Sequence, residues 1–158
     1  MEEQMSNINI YKKQGGNVMV FADGSIPVGI ALSQTTFSTK AEVIAGTTLL
    51  PALDGYQYRM TGLKMISTGA NAATATSVDI NADQTGAVIL IANAVAGLTD
   101  SAVLREGTTN SAVLADGASY QSCTVNTAIT MKQVTAGGDL SGTVHIVTVL
   151  DYVIEEAR

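Results

Sequence analysis

The sequence predicts an all-β protein, a β-sandwich or jelly roll that follows an extended N-terminal arm. Short runs rich in valine, isoleucine and threonine recur at close spacing from residue 56 onward, and turn-forming residues separate them. Hydrophobic residues make up 46% of the 158 residues and charged residues only 14%, so most of the polar positions hold neutral residue types that suit strands and turns. At this length we expect one domain with one core.

Residues 1–50 are predicted to form the extended arm. Residues 8–11 and 17–21 are short strand-like runs separated by glycines, and they are too short to build a core of their own. Residues 26–39 show no lasting periodicity. The apolar residues of the arm therefore need an external partner, and the candidate binding residues are Ile8, Ile10, Val18, Val20 and Phe21.

Residues 51–158 are predicted to form the jelly-roll domain, beginning with a long strand near residue 58. If a β-bulge lies at Thr61-Gly62, one face of this strand carries four apolar residues, Tyr58, Met60, Leu63 and Met65. The next predicted strands are residues 76–80, 87–92, 102–104, 111–114, 120–126 and 129–134. A helical turn within residues 92–97 is the alternative to strand there.

The last predicted strand, residues 143–154, has the clearest pattern in the chain. One face is apolar with a period of two and carries Val144, Ile146, Leu150, Tyr152 and Ile154. The other face is not polar either, which suggests a second sheet on one side and another subunit on the other. The candidate subunit-interface residues on that second face are His145, Val147, Val149 and Val153. The low charge content also indicates an assembling protein.

The charge distribution argues against nucleic-acid binding. The formal net charge is −6, and Lys12-Lys13 is the single adjacent basic pair, so a phosphate-tracking face is not expected. Cys123 is the one cysteine, which excludes an internal disulfide and fits synthesis in a reducing compartment. The acidic N-terminus does not resemble a secretory signal, and no apolar run reaches the roughly 20 residues of a membrane span.

Candidates for catalysis are few, and we expect no enzymatic activity and no cofactor. His145 is the one histidine and lies within the strongest strand pattern, where a structural or interface role is expected. Cys123 alternates with Val125 as a small buried hydrophobic residue would. No glycine-rich phosphate-binding motif is present.

Two weaker binding hypotheses concern a cation and a stacked ring, either a sugar or a base. Asp79, Asn81 and Asp83 copy the opening spacing of a calcium loop, but Leu90 occupies the place of the closing glutamate. A polar turn that follows a strand end is the favoured interpretation, and no metal site is predicted. A stacking platform for sugars or bases would require the fold to bring together Tyr56, Tyr58 and Tyr120.

Roughly the last two-thirds of the chain resembles the trimeric jelly-roll head-decoration and head-fibre proteins of tailed bacteriophages. The resemblance is carried by the runs YRMT at residues 58–61, TSVDIN at 76–81, TAGG at 135–138 and GTVHIVTVLDY at 142–152. It implies a homotrimer whose C-terminal jelly roll projects from the capsid while the N-terminal arm binds the major capsid protein. The resemblance brings no catalytic residues with it.

We therefore expect a non-enzymatic virion structural protein at the capsid surface. The alternative is a host-adhesion or carbohydrate-binding β-sandwich at the virion surface, with a glycan bound at its exposed tip. Decoration predicts stoichiometric presence on phage heads, whereas adhesion predicts that the isolated protein binds host cells or glycans.

Overall fold

The computed structural model describes residues 10–12, 19–21, 25–70, 77–83, 88–94, 99–101, 103–105, 111–113, 123–134, 140 and 142–157. The strands are, in chain order, β1 (Ile10–Lys12), β2 (Met19–Phe21), β3 (Ala31–Thr39), β4 (Thr47–Leu50), β5 (Tyr56–Thr68), β6 (Ser77–Asp83), β7 (Val88–Ala94), β8 (Val103–Arg105), β9 (Ser111–Val113), β10 (Ala128–Val134) and β11 (His145–Glu156). A short helix, α1 (Lys40–Ala45), connects β3 to β4.

These strands build a sandwich of two antiparallel sheets. One sheet has five strands in the order β4-β10-β6-β7-β9, and the other has four in the order β3-β11-β5-β8. Buried apolar residues from both sheets form one hydrophobic core. The prediction of an all-β sandwich is therefore confirmed.

Strand pairing in the two sheets is nested. β3 pairs with β11, β4 with β10, β5 with β8 and β6 with β7, and every pair is antiparallel. Successive pairs lie alternately in the four-stranded and the five-stranded sheet. The chain therefore has the connectivity of one long two-stranded ribbon folded over into two layers, while β9 adds to the edge of the five-stranded sheet beside β7.

The longest pairing, between β5 and β11, contains the predicted β-bulge. Met60 lies opposite Tyr152 and Gly62 lies opposite Asp151, so the register shifts by one residue at Thr61. An extra residue in one strand changes which side chains share a face. As a result Tyr58, Met60, Leu63 and Met65 all face the core, as the sequence pattern predicted.

The prediction that residues 1–50 form an extended arm is wrong for residues 31–50, which belong to the sandwich. β3 pairs with β11 along its full length, and the segment supplies Leu32, Val43, Leu49 and Leu50 to the core. The inner face of β3 also holds buried Gln34 and Ser38, and these polar residues break the apolar alternation. Gln34 Nε2 donates to the Leu49 carbonyl oxygen at 2.8 Å, which links the edges of the two sheets.

Helix α1 has a sequence signature at its start. Thr39 is the N-cap, and its hydroxyl accepts from the Glu42 backbone N–H while the Glu42 carboxylate accepts from the Thr39 backbone N–H. This reciprocal pattern is the capping box that Thr-x-x-Glu encodes. The Thr39 hydroxyl also donates to the Glu42 carboxylate at 2.8 Å, and the hydrogen bonds that this carboxylate accepts from the Thr39 backbone and side chain lower the pKa of Glu42. The helix buries Val43 and carries the chain from one sheet to the other.

The core joins apolar side chains with a few buried polar groups. The rings of Tyr58 and Tyr152 meet edge to face with their centroids 5.6 Å apart, and the Tyr58 hydroxyl donates to the Pro51 carbonyl oxygen at 2.6 Å. Thr148 is fully buried, and its hydroxyl donates to the sulfur of Met131 at 3.4 Å. These contacts connect β11 with β5 and with the opposite sheet.

The predicted strand at residues 120–126 is wrong over residues 123–126, which lie in a turn region outside any strand. The alternative of a helical turn within residues 92–97 is also wrong over its described part, residues 92–94, because residues 88–94 form a strand. Residues 120–122 and 95–97 lie outside the described part of the chain.

Candidate interaction surface

The outer face of the four-stranded sheet is the surface where we predicted a neighbouring subunit. His145, Val147 and Val149 lie on this face and are half-buried, whereas the even-numbered residues of β11 from 146 to 154 are buried in the core. The alternation predicted for this strand is therefore present. Val153 differs from the other three candidates, because at 8% exposure it offers little side-chain area to a partner.

Strand register extends this face across all four strands. Val147 lies opposite Phe37 of β3 and Ile66 of β5, and Ile66 lies opposite Val103 of β8. Directly opposed residues in antiparallel strands share a face, with Cβ atoms roughly 4.5–5.5 Å apart. We call Phe37, Val147, Ile66 and Val103 the apolar row. Its two ends, Phe37 and Val103, are 58% and 47% exposed.

Charged residues occupy the other end of the same face. Lys64 Nζ lies 3.8 Å from Asp151 Oδ2, and Arg59 Nε lies 2.6 Å from Glu155 Oε1. Gln57 adds a hydrogen bond to the Glu155 carboxylate. The face therefore divides into an apolar part at the start of β11 and a part with paired charges toward its end.

A groove of ≈ 610 Å³ opens beside the charged pairs, where the chain approaches β3. Arg59 and Glu155 line it together with Val28 and Gly29, and Val28 pairs with Ile154 in an isolated bridge. Because Glu155 matches the charge of Arg59, the arginine is not left free to bind an anion. We assign this groove no ligand.

His145 sits at the apolar end of the face. Its ring centroid lies 4.8 Å from that of Phe37 with a tilt of 32°, and its Nδ1 has no hydrogen-bond partner among the described residues. A catalytic histidine needs a nucleophile on one nitrogen and an orienting group on the other. The contact with an aromatic ring is what a packing residue would make.

Cys123 is buried in the turn region before β10. Its backbone N–H donates to the Tyr58 carbonyl oxygen at 2.6 Å, and burial raises the pKa of its thiol to about 11. The nucleophilic form of cysteine is the thiolate, which is scarce at neutral pH under these conditions. The thiol therefore acts as a small apolar group, as the sequence suggested, although the residue is not in a strand.

The predicted turn at Asn81 and Asp83 is wrong, because β6 continues through Asp83. Asp79 and Asn81 therefore lie in an extended strand and not in the tightly turned backbone of a calcium loop. Asp79 is buried and accepts a hydrogen bond from the Ser77 hydroxyl at 2.7 Å. Burial raises the pKa of its carboxyl group, while that hydrogen bond lowers it.

The predicted arm residues lie partly in a separate pair of strands. β1 and β2 form a two-stranded sheet of their own, with Ile10 opposite Phe21 and Tyr11 opposite Val20. Ile8 and Val18 lie outside the described residues. Three of the five candidate binding residues therefore lie in one hairpin-like ribbon that is distinct from the two sheets of the sandwich.

The hypothetical tyrosine platform is contradicted at its centre. Tyr58 is 3% exposed and its hydroxyl donates to the Pro51 carbonyl oxygen, so its ring face cannot stack on a sugar or a base. Tyr56 is half-buried, and Tyr120 lies outside the described residues.

Within the residues described, no cluster of three histidine, cysteine or carboxylate side chains is arranged to hold a metal ion. In the same part of the chain, no helix is long and apolar enough to cross a membrane. Comparison with known proteins finds no protein-family model that matches the chain and no curated protein that matches its sequence.

Proposed function

We propose that this chain is a non-enzymatic structural protein of a bacteriophage virion, a capsid decoration or head-fibre protein that forms a trimeric jelly roll. It is made in the host cytoplasm and resides on the capsid surface. The observation that carries the proposal is the nested pairing of the strands.

A jelly roll consists of eight strands in two sheets, arranged as two Greek keys. Eight strands of the sandwich, β3 to β8 with β10 and β11, form four antiparallel pairs, each enclosed in sequence by the pair before it. Their alternation between the sheets supports a jelly roll. It agrees with the resemblance of the sequence to phage head-decoration proteins, in which this fold projects from the shell.

One fold supports many functions, so surface features must also support the proposal. The separate strand pair β1 and β2 supports attachment through the residues before the sandwich. A two-stranded ribbon by itself is only marginally stable in water, and it gains backbone partners if it adds to a sheet edge of the major capsid protein. Three such segments on one trimer raise the avidity when all can bind together.

Deletion of residues 1–24 tests the proposal, since the first described residue of the sandwich segment is Ser25. Full-length and truncated proteins are mixed with phage particles that lack the protein, and co-sedimentation is measured. We expect the full-length protein to bind and the truncated one, folded by circular dichroism, to lose binding. Failure of the full-length protein to bind particles would overturn the proposal.

A full-length variant tests the same attachment without truncating the chain. Replacing both Ile10 and Phe21, which lie opposite each other, with Asp should reduce particle binding without changing the far-ultraviolet circular dichroism of the sandwich. Binding of the isolated protein to glycans or host cells, without binding to particles, would favour the adhesion alternative instead.

A further inference from the structure

The apolar row is unusual for the outer face of an antiparallel sheet. Such a face is normally solvated and polar when the other face packs on the core. Single exposed apolar residues are common and carry no meaning. Here, however, Phe37, Val147, Ile66 and Val103 lie opposite one another on four adjacent strands. A contiguous apolar band of this kind marks an interaction surface.

The charges on the same face indicate what kind of partner fits. Among its described side chains, two basic residues, Lys64 and Arg59, are paired with two acidic residues, Asp151 and Glu155. These two pairs carry no net charge between them, and Arg105, which lies opposite Lys64 on β8, adds one basic residue to this face of a chain whose net charge is −6. A strongly basic partner would therefore find no excess of acidic residues on this face.

A second copy of this chain fits the face better. Two acidic molecules repel each other at most surfaces, and a face that has no excess of acidic residues lets them approach at a smaller electrostatic cost. Depletion of charge at the centre with polar residues at the rim is also the usual anatomy of a subunit interface. The row supplies the apolar centre, and the ion pairs supply the rim.

We infer that the apolar row, with Phe37 at its exposed end, is the surface on which copies of this chain meet. This inference rests on the proposed function for the number of copies, which is three. In a three-fold assembly each copy turns the outer face of its four-stranded sheet toward the axis, and Val149, next to the row on β11, widens the contact. Residues from β3, β5 and β8 thereby join the β11 residues in the interface.

Charge insertion at the row tests the inference. Phe37→Glu in the full-length protein places a carboxylate at the exposed end of the apolar row, and we expect at least a tenfold weaker association by sedimentation equilibrium. Val134→Glu is the matched control, since Val134 is 42% exposed on β10 of the opposite sheet. It should associate like the wild type. Circular dichroism of each variant establishes that it is folded.

If Phe37→Glu does not fold, a second variant at the same position tests the inference. Phe37→Ser adds no charge and resembles Ser33 and Thr35 on the same strand face, and it should still weaken association measurably. The inference is overturned if the wild type is a monomer at about 10 μM, or if a folded Phe37 variant associates as tightly as the wild type.

Particle co-sedimentation of the same proteins separates this inference from the proposed function. A wild type that assembles through Phe37 but does not bind particles would leave the interface standing and overturn the virion role. A wild type that binds particles as a monomer would overturn the interface and leave the virion role standing.

Discussion

Replacing Thr148 with valine should stabilise the protein, although it removes a hydrogen bond. Thr148 is fully buried in the core face of β11, and its hydroxyl donates to the Met131 sulfur at 3.4 Å. A thioether is a weak acceptor, so little of the cost of burying the hydroxyl is recovered. Valine has nearly the same shape and replaces that hydroxyl with a methyl group.

The expected magnitude follows from two opposing contributions. Burying a hydroxyl without a strong partner costs about 1–3 kcal/mol in proteins, and burying one more methyl group contributes about 0.8 kcal/mol. Loss of an ordinary hydrogen bond would remove about 1 kcal/mol, and a bond to sulfur less. We therefore expect Thr148→Val to raise the free energy of unfolding by about 1 kcal/mol, or Tm by about 2–4 °C.

Urea unfolding followed by circular dichroism measures this change at a fixed protomer concentration, because association makes apparent stability depend on concentration. The midpoint should rise while the slope m stays the same. Thr148→Ser is the matched control, since it keeps the hydroxyl but removes the methyl group, and it should lower stability by about 1 kcal/mol. A Thr148→Val variant less stable than the wild type would refute the reasoning.

Three further predictions concern backbone fit, pH and thiol reactivity. Gly69→Ala should lower the free energy of unfolding by roughly 2–4 kcal/mol, because φ is +84° and the added Cβ would lie 2.9 Å from the Thr143 carbonyl oxygen. Gly55→Ala is the control, since φ is +80° there but the space around the added Cβ is open, and it should lower the free energy of unfolding by about 1 kcal/mol. Equal losses for the two variants in urea unfolding would contradict this prediction. Burial raises the pKa of Asp79 above 3.8, because the neutral carboxyl group is favoured in the folded protein. The contribution of Asp79 to stability is therefore present below pH 3.8 and is lost as the pH rises through its folded-state pKa. Asp79→Asn should therefore be more stable than the wild type at pH 7, with the difference shrinking toward pH 3 in paired melts; a constant difference would count against burial as the cause. Burial raises the pKa of Cys123 to about 11 from 9.0, so at pH 8 iodoacetamide should modify the native thiol about a hundredfold more slowly than the unfolded one, and similar rates would disprove its burial.

Local sequence pattern determined much of the sandwich. The period of two in β11 predicted which of its faces lies in the core, because successive side chains of a strand point to opposite sides. Gly62 in an apolar run predicted the bulge at Thr61, which lets Met60 and Leu63 face the core together. Both features depend only on neighbours along the chain.

The segment from β3 to β4 shows where local pattern fails. The inner face of β3 carries Gln34 and Ser38 beside Leu32, so no apolar alternation marks the strand. The buried Nε2 of Gln34 finds its hydrogen-bond acceptor in the Leu49 carbonyl oxygen, fifteen residues away in sequence, and no local pattern reveals that partner. The capping box of Thr39 and Glu42 was a sequence signal that could have revealed α1 and, with it, the crossing between the sheets.

Some residues of the candidate interface were identified from the sequence, and others only from the tertiary structure. The sequence by itself indicated that the second face of β11 is not simply polar, and so identified Val147 and Val149 as surface candidates. Only the tertiary structure decided that Phe37, Ile66 and Val103 lie beside them, because strands far apart in sequence are aligned by pairing register. Register is fixed by which face each strand must bury and by the bulge, and these requirements are met together only when the two sheets pack.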